Sequence, residues 1–164
     1  MINKFNLLKN LRKKLLDGNY TIGTWQQIPN SSVSEILSNA GYDWIVIDME
    51  HGSISINQLP DLFRAIELSE TLPFVRLPEA NPKECQRVLD AGACGIILPM
   101  INSSNQLSKI KDACYWPPAG NRGVGFSRAN LFGKNFDLYA KLAQDPFLVA
   151  QIEHIDAVNN LDEI

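Results

Sequence analysis

Two apolar runs in this chain each end in acid. Trp44-Ile45-Val46-Ile47 passes into Asp48-Met49-Glu50-His51, and Phe147-Leu148-Val149-Ala150 passes into Gln151-Ile152-Glu153. Short runs rich in β-branched residues and bounded by turn signals predict fully buried strands, whose carboxyl ends face the ligand crevice in α/β proteins. The pattern therefore predicts two strands delivering acids, an imidazole and an amide to one rim.

The rest of the chain repeats a strand–helix rhythm. Leu7, Leu8, Leu11, Leu15 and Leu16 recur at helical spacing and predict a first helix over about residues 1–18. A strand is predicted at Tyr20–Trp25, then a helix opening at Ser32 with Glu35 in the capping-box position. Trp44–Asp48 is the second strand, and Ser55 with Gln58 opens a helix to about Leu68. The third strand is Pro73–Arg76. Asn81, Pro82 and Glu84 start a helix that ends at Ala91 with Gly92 as its cap. Gly95–Met100 is the fourth strand, and Ser103 with Gln106 starts the next helix. A Gly/Pro/Arg-rich segment, Tyr115–Gly133, precedes a short helix near Phe136–Ala143, the fifth strand at Phe147 and a helix from about Asp156.

Alternating strands and helices predict parallel βα units with right-handed crossovers, in one α/β domain over residues 1–164. Two closures fit. One is a five-stranded doubly wound sheet; the other is the first five units of a (β/α)8 barrel, which typically needs about 250 residues. The sequence stops at Ile164 inside a predicted helix without a C-cap, which keeps the incomplete barrel in view.

Composition narrows the function. With 45% hydrophobic and 20% charged residues the chain is an ordinary globular one, and its net charge of -3 does not favour nucleic acid or an anionic membrane as a partner. A small-molecule ligand fits better. Lys9, Arg12, Lys13 and Lys14 interrupt the first apolar pattern, so no signal-peptide core is predicted, and no run approaches a membrane span of about 20 apolar residues. Cys85, Cys94 and Cys114 are odd in number and widely spaced, which predicts reduced thiols in a cytoplasmic protein.

Several polar residues stand at predicted strand ends. His51 beside Asp48 and Glu50 suits a general base, or else a helix cap. Glu153 with Gln151 suits Mg2+ or Mn2+ with water in the remaining positions, or is a loop-edge acid. Arg76 is either a clamp for a carboxylate or enolate or the partner of a buried acid. Asp90 sits near a helix C-terminus, where the dipole disfavours an anion, so it needs a partner: Arg76 or a neighbouring subunit. Arg122 and Arg128 lie in the Gly/Pro-rich loop, as functional groups or as solvated arginines, the latter more readily for Arg128.

The ordered set Gly23-x-Trp25, Gly41-Tyr42-Asp43-Trp44-Ile45-Val46-Ile47-Asp48-Met49-Glu50-His51-Gly52, Val75-Arg76, Leu89-Asp90-Ala91-Gly92, Pro117-Pro118-x-Gly120-x-Arg122-Gly123 and Gln151-Ile152-Glu153 closely resembles the HpcH/HpaI family of class II pyruvate-type aldolases. The likeness runs from about Leu16 to Ile164. It implies a (β/α)8 TIM barrel of the phosphoenolpyruvate/pyruvate type, usually a homo-hexamer. It also implies a divalent metal, Mg2+ or Mn2+ with Co2+ as a further candidate. By resemblance the substrate is a 4-hydroxy-2-oxo acid or a 2-keto-3-deoxy sugar acid, cleaved to pyruvate and an aldehyde. Glu153 matches a metal ligand, His51 the catalytic base, Asp48 the group orienting it and Arg76 the enolate clamp. Gln151 matches a polar group at the substrate and Asp90 a supporting acid of the site. The family's second acidic metal ligand lies on a strand beyond Glu153, outside this sequence. His154 and Trp116 replace a small hydroxyl residue and a tyrosine common in relatives.

Overall fold

Capping chemistry decides where most of the helices begin. A computed structural model describes residues 2–164, with elements α1 (Ile2–Leu16), β1 (Gly23–Gln26), α2 (Ser31–Ser38), β2 (Trp44–Asp48), α3 (Leu59–Ile66), β3 (Leu72–Arg76), α4 (Pro82–Ala91), β4 (Gly95–Leu98), α5 (Ser104–Cys114), a 3-10 turn (Arg128–Asn130), α6 (Phe136–Leu142), β5 (Phe147–Ala150) and α7 (Ile155–Asn159). Asn81 accepts from the backbone N–H groups of Lys83 and Glu84 at the start of α4, Ser103 accepts from Gln106 at the start of α5, and Gly92 ends α4 at φ 112°.

Two starts differ from the sequence reading. The cap of α2 is Asn30, whose side chain accepts from Ser32 N at 2.8 Å, so Ser32 lies inside the helix. Gln58 does accept from Ser55 N at 2.8 Å, but the following residues form a turn, and α3 becomes regular only at Leu59, with Pro60 in its first turn. β1 begins at Gly23 rather than Tyr20, and β4 ends at Leu98; Met100 turns away with a positive φ of 52°.

The strands of the described residues pair in parallel in the order β1-β2-β3-β4-β5. A doubly wound sheet reverses its strand order at a switch point, and this one never does, so that alternative is overturned in favour of barrel-type winding. Strand alternation then divides the side chains between two faces. Ile45, Ile47, Val75, Ile96 and Leu98 pack outward against α3, α4 and α5, around Leu59, Phe63, Val88 and Ile110. On the inner face, Val46, Leu72, Phe74 and Ile97 meet Leu8 and Leu11 of α1 near the amino ends of the strands.

Small and large residues interlock on that inner face. A Cβ on Gly95 would come within 2.8 Å of the Phe74 ring, and one on Gly23 within 2.1 Å of the Trp44 ring. Trp44 and Phe74 stack at 6.0 Å between centroids, and Phe147 sits 5.4 Å beyond Phe74. This aromatic layer lies beneath the polar carboxyl rim.

Candidate active site

The inward parity that buries Val46 and Phe74 also aims the next inward residue on each strand at the rim. Asp48 pairs in register with Arg76, and Trp25, Gln27 and Gln151 share that parity. These five residues line one open crevice. It lies at the carboxyl ends of parallel strands, where barrel folds place their chemistry.

Arg76 and Asp48 form its centre. Arg76 Nε donates to Asp48 Oδ1 at 3.0 Å and Nη2 to Oδ2 at 2.5 Å. The third nitrogen, Nη1, lies 3.2 Å from Glu50 Oε2, and the guanidinium carbon sits 4.7 Å from the centre of the Trp25 ring. Gln27 Nε2 adds a hydrogen bond to Asp48 Oδ2 at 2.9 Å, while the backbone N–H groups of Glu50 and His51 donate to Oδ1 at 3.0 and 3.2 Å. Burial pushes the Asp48 pKa up, but the donors from Arg76, Gln27, His51 and Glu50 outweigh it and bring it down to about 2. The same hydrogen bond from Arg76 to Asp48 raises the Arg76 pKa against its burial, with Glu50 and Glu153 adding to the field.

The expected pairing of Asp48 with the His51 ring needs correction. Asp48 holds His51 by its backbone N–H, because Arg76 and Gln27 already occupy the carboxylate. The imidazole has 63% of its surface exposed, and its nearest acid is Glu50, with Oε2 3.9 Å from Nε2. The His51 backbone is tied to the crevice through Asp48, but the ring is not among the side chains that line it.

Glu153 and Gln151 come together on the far side. Gln151 Nε2 donates to Glu153 Oε2 at 3.0 Å, and the backbone N–H of Met100 donates to Oε1 at 2.8 Å. Gln151 Oε1 is buried without a partner. No three His, Cys, Asp or Glu side chains among the described residues converge as a metal site. Asp48 and Glu50 are drawn to Arg76, which leaves Glu153 as one carboxylate. The residues present therefore fit a single ligand position and do not form a metal centre by themselves.

Asp90 is not at this crevice. Helix α4 runs from the carboxyl rim back to the amino end of the sheet, and Asp90 sits in its last turn. Its partner is not Arg76 but the buried Arg122, whose Nη2 donates to Oδ1 at 2.6 Å. Arg128 is likewise not solvated: it holds both oxygens of Glu67, at 3.2 and 2.9 Å, and the carbonyl of Ala91 at 2.9 Å. His154 caps α7, its Nδ1 accepting from Asp156 N at 3.2 Å. Trp116 is buried beside Tyr139 and Phe136.

Two contributors escaped the sequence reading. Gln27 carries the period-2 signal of β1 one step past its end and could have been found from Trp25 by alternation. The Met100 amide could not, since a backbone N–H leaves no trace in residue type.

Residues 21–164 match the family model described as HpcH/HpaI aldolase/citrate lyase. The chain is 36% identical over 160 residues to a hydroxypyruvate/pyruvate aldolase of Roseobacter denitrificans, covering 96% of this chain and 62% of that protein. It is 34% identical over 155 residues to a 2-keto-3-deoxy-L-rhamnonate aldolase of Shigella boydii serotype 4, covering 93% of this chain and 58% of that protein. Among solved structures, an HpcH/HpaI aldolase/citrate lyase family protein from Burkholderia cenocepacia J2315 superposes with a TM-score of 0.86 at 32% identity, over 94% of this chain and 63% of that one. The chain thus spans about 60% of the length of these relatives. Among the described residues no helix is long and apolar enough to cross a membrane.

Proposed function

The chain belongs to the HpcH/HpaI aldolase/citrate lyase family, and on that premise we propose that its rim supplies the enolate-forming groups of a carbon–carbon lyase. The substrate is a 4-hydroxy-2-oxo acid or 2-keto-3-deoxy sugar acid, and the products are pyruvate and an aldehyde. The observation that carries this reading is the Arg76 guanidinium, buried, stacked on Trp25 and anchored by Asp48, with its outer edge at the crevice.

In cleavage, a base takes the proton of the C4 hydroxyl, the C3–C4 bond breaks, and its electron pair forms the enolate of pyruvate, which is then protonated at C3. Arg76 meets the charge that develops on the enolate oxygen, a role suited to a donor already fixed in a low-dielectric site. Asp48 stops the guanidinium from swinging toward solvent. His51, with its exposed ring, moves the proton. Gln151, with its free Oε1, orients the substrate.

A divalent cation, Mg2+, Mn2+ or Co2+, would take Glu153 and, bound with a 2-oxo acid, would acidify the C3 hydrogens. Asp90, a supporting acid of the site by resemblance, lies away from this rim, where it holds Arg122. The chain works as one α/β domain in a cytoplasmic homo-oligomer, a hexamer by family resemblance. A second reading, a non-catalytic barrel segment for binding or assembly, draws on the described residues bringing no three His, Cys, Asp or Glu side chains together as a metal site.

Deuterium exchange at pyruvate C3, followed by NMR with and without Mn2+, separates the two. Exchange that needs the ion and the chain supports the lyase. Exchange at the rate of Mn2+ alone supports the binding module.

A further inference from the structure

Two neighbouring glutamines at the end of β1 have separate tasks. Gln26 is buried and its amide is spent on the turn into α2: Nε2 donates to the carbonyls of Ile28 and Asn30 at 2.7 and 3.1 Å, and Oε1 accepts from the Ser34 hydroxyl at 2.8 Å. Gln27, the next residue, lines the carboxyl-rim crevice. Its backbone is held on two sides. The Gln26 bonds fix the turn that follows it, and the loop after β2 packs so close that a Cβ on Gly52 would meet Gln27 O at 3.2 Å and Gln27 Cα at 3.5 Å. A side chain carried on so fixed a backbone can hold its partner in one place.

That partner is Asp48, whose two oxygens are held unequally. Oδ1 accepts from the backbone N–H groups of Glu50 and His51 as well as from Arg76 Nε. Apart from Arg76 Nη2, Oδ2 accepts among the described residues from Gln27 Nε2 alone, at 2.9 Å. The terminal torsion of an aspartate is soft, so Oδ1 by itself does not set the plane of the carboxylate. The arginine cannot set it either, because a bidentate fork keeps carboxylate and guanidinium coplanar and the two turn together. Nor do the other neighbours of Arg76 supply direction. Trp25, 4.7 Å from the guanidinium carbon, resists tilting but leaves the group free to slide along the ring. Glu50 lies 3.2 Å from Nη1, yet its Oε2 makes no hydrogen bond, so it adds charge without alignment.

We propose that Gln27 is a positioning residue: by donating to Asp48 Oδ2 it fixes the plane of the carboxylate and so aims Arg76 at the place where the enolate oxygen forms. A donor aligned beforehand needs no rearrangement as charge develops. The effect on rate rests on the lyase reading; the effect on the guanidinium does not.

Gln27→Met tests it, since it keeps the length of an exposed side chain and removes the donor. Two quantities are measured on the same protein: solvent exchange of the Arg76 Nε–H proton by NMR, its signal assigned with Arg76→Lys, and steady-state C3 exchange of pyruvate with Mn2+. In the variant the Arg76 proton should exchange about tenfold faster, the size of one lost hydrogen bond to a charged group. The kcat for C3 exchange should fall by about the same factor while KM stays within about twofold, the pattern of an interaction made in the transition state. An Arg76 proton that exchanges at its original rate overturns the proposal. So does a raised KM with unchanged kcat, which would put Gln27 on the substrate itself, or a lowered Tm with unchanged kcat, which would make it a packing residue. If the unaltered chain gives no C3 exchange beyond that of Mn2+ alone, the lyase reading falls, and the Arg76 proton still decides whether Gln27 positions the guanidinium.

Discussion

Arg76 and Asp48 face each other across neighbouring strands in register, and the arginine meets both carboxylate oxygens at once, at 3.0 and 2.5 Å. Such a planar fork gives direction as well as charge. One inward position later on either strand would leave the sheet, and one earlier would place both in the aromatic layer. The last rung of the ladder is thus where a buried ion pair can also touch a ligand.

The pair ties stability to acid. Asp48 falls from an ordinary 3.8 to about 2 in the fold, so its contribution is complete above about pH 4 and is lost as pH drops through about 2. That shift corresponds to roughly 2 kcal/mol. Asp48→Asn should lower stability at pH 7 by about 3–5 kcal/mol, since it strands a buried guanidinium. It should also flatten the acid limb of a denaturation series between pH 4 and 2. An unchanged acid limb would show that the pair is not what titrates.

Arg76→Lys retains the charge and loses the fork. Metal-dependent exchange at pyruvate C3 should fall by about 10²–10³-fold, the usual loss for one oxyanion donor. If the lysine variant keeps full exchange, Arg76 is a structural partner of Asp48 and nothing more.

Much of this was legible in the chain, and for identifiable reasons. Val46 and Ile47 leading into Asp48 announced both a strand and its functional end, because buried strands are continuous apolar runs and the first acid marks their exit. Asn81, Pro82 and Gly92 fixed α4 almost to the residue, since each suits only its own place in a helix terminus. The partner of Asp90 was not legible. Arg122 lies 32 positions away in a loop without periodicity, and only the folded path of that loop brings its guanidinium to the end of α4. Nor could residue types say that Asp48 would spend its oxygens on Arg76 and Gln27 and reach His51 only through the backbone.

His51 is exposed enough for its loss to be read cleanly. His51→Ala should reduce C3 exchange by about two to four orders of magnitude. Stability should shift by no more than about 0.5 kcal/mol, as for a surface substitution. A large loss of stability with proportionate activity would assign His51 to the fold.

Gly95 tests the interlock beneath the rim. A methyl group there meets the Phe74 ring at 2.8 Å, so Gly95→Ala should cost about 1–3 kcal/mol by overpacking. Phe74→Leu in the same chain should return part of that loss. Two costs that simply add would mean that the ring relaxes elsewhere and does not depend on the glycine.

Metal binding gives the sharpest measure of what Glu153 can do alone. One oxygen accepts from Met100 N and the other from Gln151 Nε2, so the carboxylate is oriented, and among the described residues it belongs to no cluster of three His, Cys, Asp or Glu side chains. Ions of this class hold well when one or two carboxylates act together with a substrate that brings oxygens of its own. Mn2+ should therefore bind this chain weakly, and oxalate, a stand-in for the 2-oxo acid, should tighten it. Glu153→Gln should remove both effects while leaving the fold intact, since the amide can still accept from Met100. Water-proton relaxation reads bound Mn2+ without any turnover. Tight Mn2+ binding that persists in Glu153→Gln would mean that the ion sits on other residues, and Glu153 would then be the acceptor that fixes the Met100 turn.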